Sequence, residues 1–219
     1  MRLFFCITCV LFASCFIYME YRQKPVPALI LKGLASLCFV LYGMENAPRG
    51  NPVADKIIVG LALGMIADIL LNFRFILKNG KPVFLVGILV FLAGHILYLL
   101  AVFPMTPSPL PVILSALIIT ALLMKWIFSR ITAEPAFKIF GIFYIGAIVL
   151  LNCTAIANVI SSPSVFTCIF AAGAILFLIS DIVLILNTFG KQSRFRLRVI
   201  NLSLYYIGQL LIAASMHWL

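Results

Sequence analysis

Two aspartates stand inside stretches otherwise apolar enough to cross a bilayer: Asp68 in GLALGMIADILLNF and Asp181 in AILFLISDIVLIL. A carboxylate at the centre of a membrane helix costs about 2.5–3.5 kcal/mol to insert, so each needs a reason to be there. A third ionisable group, His95, lies in a similar stretch, VFLAGHILYLL. Two carboxyl groups and an imidazole can do general acid–base chemistry. A low dielectric and a shared site favour the neutral form of one carboxyl while the other stays ionised, so one gives a proton and the other takes one.

Helical spacing adds neighbours to these three. Asn72 falls on the face of Asp68, Tyr98 on that of His95, and Tyr205 or Tyr206 on that of Gln209. Lys32 enters a few residues into the second apolar stretch. The candidate catalytic residues are therefore Asp68, Asp181 and His95, and the candidate substrate contacts are Lys32, Asn72, Tyr98, Tyr144, Tyr206 and Gln209. The competing role is structural. Intramembrane polar residues can bind helices together, and a span tyrosine taken singly reads as packing. The measured gain from such contacts averages about 0.6 kcal/mol, too little to offset two buried carboxylates unless Lys32 or a proton neutralises them.

These residues are held in a greasy container. The chain has 219 residues, 64% hydrophobic and 10% charged, with a mean hydropathy of +1.21. Soluble domains carry about 25% charge, so the composition predicts a polytopic membrane protein. Without water in the hydrocarbon, each segment must satisfy its own backbone, and long unalternating runs favour helices over a barrel. The expected fold is an all-α bundle with spans near residues 3–19, 28–44, 53–73, 82–103, 109–128, 136–158, 164–186 and 198–216. Proline- and glycine-bearing separators punctuate them, as in Pro48-Arg49-Gly50-Asn51-Pro52 and Asn79-Gly80-Lys81-Pro82. The first run, preceded by Arg2, continues to Met19 and reads as a retained helix, not a cleaved signal. Cys6, Cys9, Cys15, Cys38, Cys153 and Cys168 all fall in apolar runs and read as small membrane-helix residues.

The basic residues orient the bundle. One side receives Arg22, Lys24, Lys32, Arg74, Lys78, Lys81, Lys125, Arg130, Lys138, Lys191, Arg194, Arg196 and Arg198; the other receives Arg2, Arg49 and Lys56. The positive-inside rule then places both termini away from the cytoplasm, as in a bacterial inner membrane. The net charge of +10 is explained by this rim and gives no case for nucleic acid as a partner. The polar motifs also repeat. Ala67-Asp68-Ile69-Leu70 resembles Ser180-Asp181-Ile182-Val183, and Gly94-His95-Ile96-Leu97 resembles Gly208-Gln209-Leu210-Leu211, at spacings of 27 and 28 residues. The pattern predicts a parallel duplication of a four-helix unit, with halves 1–104 and 105–219, turning both aspartates toward one cavity.

Taken in order, AD-ILL at 67–71, GHILY at 94–98, SDIVL at 180–184 and YYIGQLL at 205–211 resemble the YhhN-type lysoplasmalogenase family over nearly the whole chain. Ala67 stands where that family usually has Gly, and Lys32-Gly33 where it commonly has Lys-Pro; neither change removes a titratable group. The resemblance implies a membrane hydrolase that cleaves the vinyl ether of a lysophospholipid to a fatty aldehyde and glycerophospho-ethanolamine or -choline. One protonated and one ionised aspartate would supply acid and base, much as in glycosidases. His95 would orient water, Gln209 and Tyr206 would hold the glycerol hydroxyl or ether oxygen, and Lys32 would meet the phosphate. No cofactor or metal is expected, since no HExxH or clustered-ligand spacing is present, and GxSxG is absent too. The alternative is a proton-coupled carrier of small molecules or lipids that uses the same intramembrane aspartates.

Overall fold

The computed structural model describes residues 1–219, with the side chains of all but Ala136. Eight helices follow in order: α1 (Arg2–Tyr21), α2 (Pro25–Asn46), α3 (Pro52–Phe73), α4 (Lys81–Val102), α5 (Pro109–Phe128), α6 (Pro135–Ser161), α7 (Val165–Phe189) and α8 (Phe195–Ser215). All eight are long and apolar enough to span a membrane. The chain is a polytopic helical bundle, and the expected spans agree with the helices to within a few residues at each end.

The sequence starts these helices by local means. Proline occupies the first turn of α2, α3, α4, α5 and α6, where its missing N–H costs nothing. The Asn51 side chain accepts from the Val53 and Ala54 N–H groups at 2.9 and 3.2 Å and caps α3. Ser164 and Thr167 form a reciprocal capping box at α7, at 3.1 and 2.9 Å. The tight α1–α2 turn passes through Gln23 at φ 54°.

Small residues set how the helices cross. A Cβ on Gly94 would lie 3.1 Å from the Gly60 carbonyl oxygen, so α3 and α4 touch backbone to backbone. A Cβ on Gly208 would lie 2.9 Å from the Gly173 oxygen, and α7 and α8 touch in the same way. Glycine contacts of this kind let membrane helices gain packing that lipid cannot supply. Asp68 stands eight residues beyond Gly60 and Asp181 eight beyond Gly173, while His95 and Gln209 directly follow the partner glycines. The two crossings therefore fix corresponding residues at corresponding depths.

The polar residues lie inside, among them Lys32, Asp68, Asn72, His95, Asp181 and Gln209. The exposed faces of α1 and α5 present Leu3, Phe4 and Val10, and Leu114, Leu117 and Leu122, as expected against lipid chains. All six cysteines are free. The basic separators share one end of the bundle, tied by the Arg198–Glu20 pair at 2.8 Å and the exposed Lys81–Glu134 pair at 3.2 Å. Both chain termini lie at the other end, where Arg2 donates to the Glu45 carbonyl at 3.1 Å and lies 2.8 Å from His217.

Candidate functional site

Asp68 projects from α3 into the bundle with 2% of its surface exposed. Lys32 on α2 reaches it at 3.0 Å, and the Ser36 hydroxyl, one turn further along α2, donates to it at 2.6 Å. The Tyr205 hydroxyl of α8 donates to the same oxygen, also at 2.6 Å. A buried ion pair is tolerable only when its remaining polar valences are filled, and these two hydroxyls do that. The Lys32 ammonium also sits over the Phe16 ring at 5.5 Å. Lys32, expected to meet a phosphate, pairs with Asp68 while still lining the cavity.

Asp181 is held more sparingly. The Tyr144 hydroxyl of α6 donates to it at 2.7 Å. Among the described residues no cation lies within ion-pair distance of it. Behind it, the Asn201 amide of α8 donates to the Ser180 carbonyl and hydroxyl, both at 2.9 Å, locking α8 against α7.

The other expected residues divide. His95 Nδ1 lies 2.8 Å from the Phe91 carbonyl. A carbonyl only accepts, so Nδ1 carries the hydrogen and Nε2 is left as a buried acceptor without a partner. The ring packs edge-on against Phe177 and Tyr144, at 4.6 and 5.6 Å. It therefore backs Tyr144 from outside the cavity wall. Tyr98 and Gln209 turn to each other: the Tyr98 hydroxyl donates to Gln209 Oε1 at 2.9 Å. Tyr206 packs against Phe39 and Tyr205, with its hydroxyl buried and unpartnered. Gln209 and Tyr206, expected to hold the glycerol hydroxyl or ether oxygen, are not among the residues that line the cavity of the aspartates. Tyr205, one position earlier and about 100° around the helix, lines the cavity and donates to Asp68. Ser36 was also missed, although it stands one helical turn from Lys32 on the same face.

Both aspartates open onto one cavity of about 940 Å³, its mouth included, walled by apolar residues such as Ile88, Phe91, Phe137 and Phe140. A second space at the basic end holds Lys24, Asn72 and Arg194, and the two share Arg74, Leu184, Thr188 and Arg198 in their walls. The Arg74 guanidinium lies between the Phe84 and Phe75 rings, at 4.1 and 4.6 Å. Burial and the nearby Arg198 draw it down from its ordinary value to about 10, so it stays a cation at neutral pH. Among the described residues, no three His, Cys, Asp or Glu side chains come together in a metal-holding set.

The YhhN family model matches residues 27–216, which include every candidate residue. The chain belongs to the YhhN family. Among curated proteins, it is 28% identical over 218 residues to "Lysoplasmalogenase TMEM86A" of Bos taurus, covering 97% of this chain and 86% of that relative. The human protein of the same name is 25% identical over the same shares. A "Lysoplasmalogenase homolog" of Dictyostelium discoideum is 25% identical, covering 88% of this chain and 76% of the relative. No solved structure matches the chain. This YhhN bundle thus joins the motif resemblance to a cavity in which two aspartates meet.

Proposed function

We propose that this protein hydrolyses the vinyl ether bond of lysoplasmalogens within the membrane, with Asp181 as general acid and Asp68 as base. The observation that carries the reading is the unequal pair: two aspartates on one apolar-walled cavity, one beside a lysine and one without a cation. The names of the relatives point to the same substrate class.

The unpaired carboxyl is the one suited to carry a proton in a low dielectric. Protonated Asp181 gives that proton to the outer alkene carbon, leaving an oxocarbenium ion at the carbon bonded to oxygen. The Asp68 carboxylate faces the cation and takes a proton from water as its oxygen adds to that carbon. The hemiacetal then collapses. Asp68 returns its proton to the departing glycerol oxygen, the hemiacetal hydroxyl gives its proton to Asp181, and a fatty aldehyde leaves. Both carboxyls end as they began. Tyr144 and Tyr205 hold the two carboxyls in place, and His95 positions Tyr144 from behind.

The basic end would face the cytoplasm and both termini the opposite side. The matched offsets of the two glycine crossings support residues 1–104 and 105–219 as duplicated four-helix units. The deciding test incubates purified protein with lysoplasmenyl-ethanolamine and follows aldehyde release, beside Asp68→Asn and Asp181→Asn. Aldehyde from the parent and neither variant is expected. A folded parent that releases none, but accumulates lipid or solute in proton-loaded vesicles, would replace the hydrolase with a carrier.

A further inference from the structure

Two residues in the wall of the space at the basic end, Asn72 and Arg74, each carry a buried polar atom that no group among the described residues satisfies. Asn72 Oδ1 and Arg74 Nε have no hydrogen-bond partner, although Asn72 is only 3% exposed. Leaving such atoms dry is costly, and their usual remedy is a ligand or ordered water. Their neighbours do not compete for them. Arg198 is engaged by both Glu20 oxygens at 3.0 and 2.8 Å, Lys32 is engaged by Asp68, and the Asn187 side chain accepts from the Arg194 backbone at 2.7 Å. Glu20 is the sole carboxylate in this wall, against Lys24, Arg74, Arg194 and Arg198. Among the described residues of this wall Lys24, Arg74 and Arg194 have no carboxylate partner; Lys24 and Arg194 are exposed, while Arg74 is half-buried and stacked on Phe84.

The order of these groups along α3 matters as much as their presence. Asn72 follows Asp68 by one turn on the same face, and Arg74 lies about 9 Å beyond Asp68 along the axis, toward the basic end. Carboxyl, amide oxygen and guanidinium thus succeed one another from the bundle interior outward. A lysophospholipid presents its chemistry in that order: ether at the first glycerol carbon, free hydroxyl at the second, phosphate at the third. The two spaces adjoin along Arg74, Leu184, Thr188 and Arg198, and a lysolipid bound across both would pass between these four residues.

We propose that the second space is a headgroup site in which Arg74 binds the phosphate of a lysophospholipid and Asn72 accepts from its free glycerol hydroxyl. The assignment rests on the hydrolase reading for the position of the ether, and it makes Asn72 a reader of lyso- over two-chain lipids. A second acyl group at that hydroxyl would remove the donor and leave Oδ1 dry.

The test measures binding, not turnover. Full-length protein in detergent is titrated with a saturated 1-O-alkyl lysophosphoethanolamine, which cannot be hydrolysed, and with 1-O-alkylglycerol, which lacks the phosphate. Wild type should bind the phosphate-bearing lipid at least about tenfold more tightly, the scale of one charge-assisted hydrogen bond. Arg74→Gln should erase that preference and Arg74→Lys keep part of it. Asn72→Ala should lose discrimination against the 2-O-methyl analogue, while Asn72→Asp, which keeps an acceptor, retains it. Glycerophosphoethanolamine competing as well as the lysolipid would show a free phosphate site and overturn the lipid assignment. An undiminished preference in Arg74→Gln would overturn the phosphate site even if aldehyde is released. Arg74-dependent binding without aldehyde would leave the site standing and remove the hydrolase.

Discussion

Asp68 and Asp181 each stand eight residues past a glycine crossing, but their surroundings differ. Asp68 receives Lys32, Ser36 and Tyr205; Asp181 receives Tyr144. The difference can be followed position by position. Lys32 precedes Asp68 by 36 residues, and Ile145 stands at that offset from Asp181, with Tyr144 beside it donating to the carboxyl. Tyr205 stands four residues before Gln209, and four before His95 stands Phe91, which has no hydroxyl to give. Two similar frames thus hold one carboxyl as a compensated anion and the other as a group with a single neutral donor. Acid and base roles need that inequality, and a symmetric pair would lack it.

The largest expected effect sharpens this contrast through stability. Asp68→Asn leaves the Lys32 charge buried without a partner and should lower unfolding stability by about 3–5 kcal/mol. Asp181→Asn keeps the Tyr144 donor and should unfold like the parent. Its aldehyde release should nonetheless fall about 10²–10⁴-fold, the range for a lost general acid. Thermal melts in detergent beside the activity assay read both, and equal melting losses would break the distinction. Lys32→Met combined with Asp68→Asn should recover most of the stability but none of the activity.

The frames themselves are tested next. A Cβ at Gly173 would meet the Gly208 carbonyl oxygen at 2.8 Å, and one at Gly60 would meet the Tyr98 ring at 2.5 Å. Gly173→Ala and Gly60→Ala should each cost about 1–3 kcal/mol in unfolding, as overpacking does. An unchanged melt in either would show that crossing to be loose. Smaller again, Tyr144→Phe removes the one donor to Asp181 and should lower kcat about tenfold, near the worth of one hydrogen bond. Tyr205→Phe should cost less, because Ser36 and Lys32 still hold Asp68. A larger loss from Tyr205→Phe would reverse the ranking of the two sites.

Much of this was legible before any folding. Asp68, Asp181 and His95 could be singled out because a titratable group in a hydrocarbon span is expensive wherever its partners lie. Lys32 could be suspected as a neutraliser, since a carboxylate so placed needs one. Tyr205 could not be separated from Tyr206, nor could His95 be placed behind Tyr144. Adjacent residues on a helix point about 100° apart, and hydropathy does not carry that phase.

The sequence alone determined the eight spans, the basic end and the identity of the buried ionisable groups. Each of these follows from the transfer cost of about 20 consecutive residues and needs no contact with the rest of the chain. The tertiary structure decided which partner each carboxyl receives and which polar atoms are left open to a ligand. Those outcomes depend on the rotation and crossing of helices far apart in sequence, set here by glycines that bring backbones into contact.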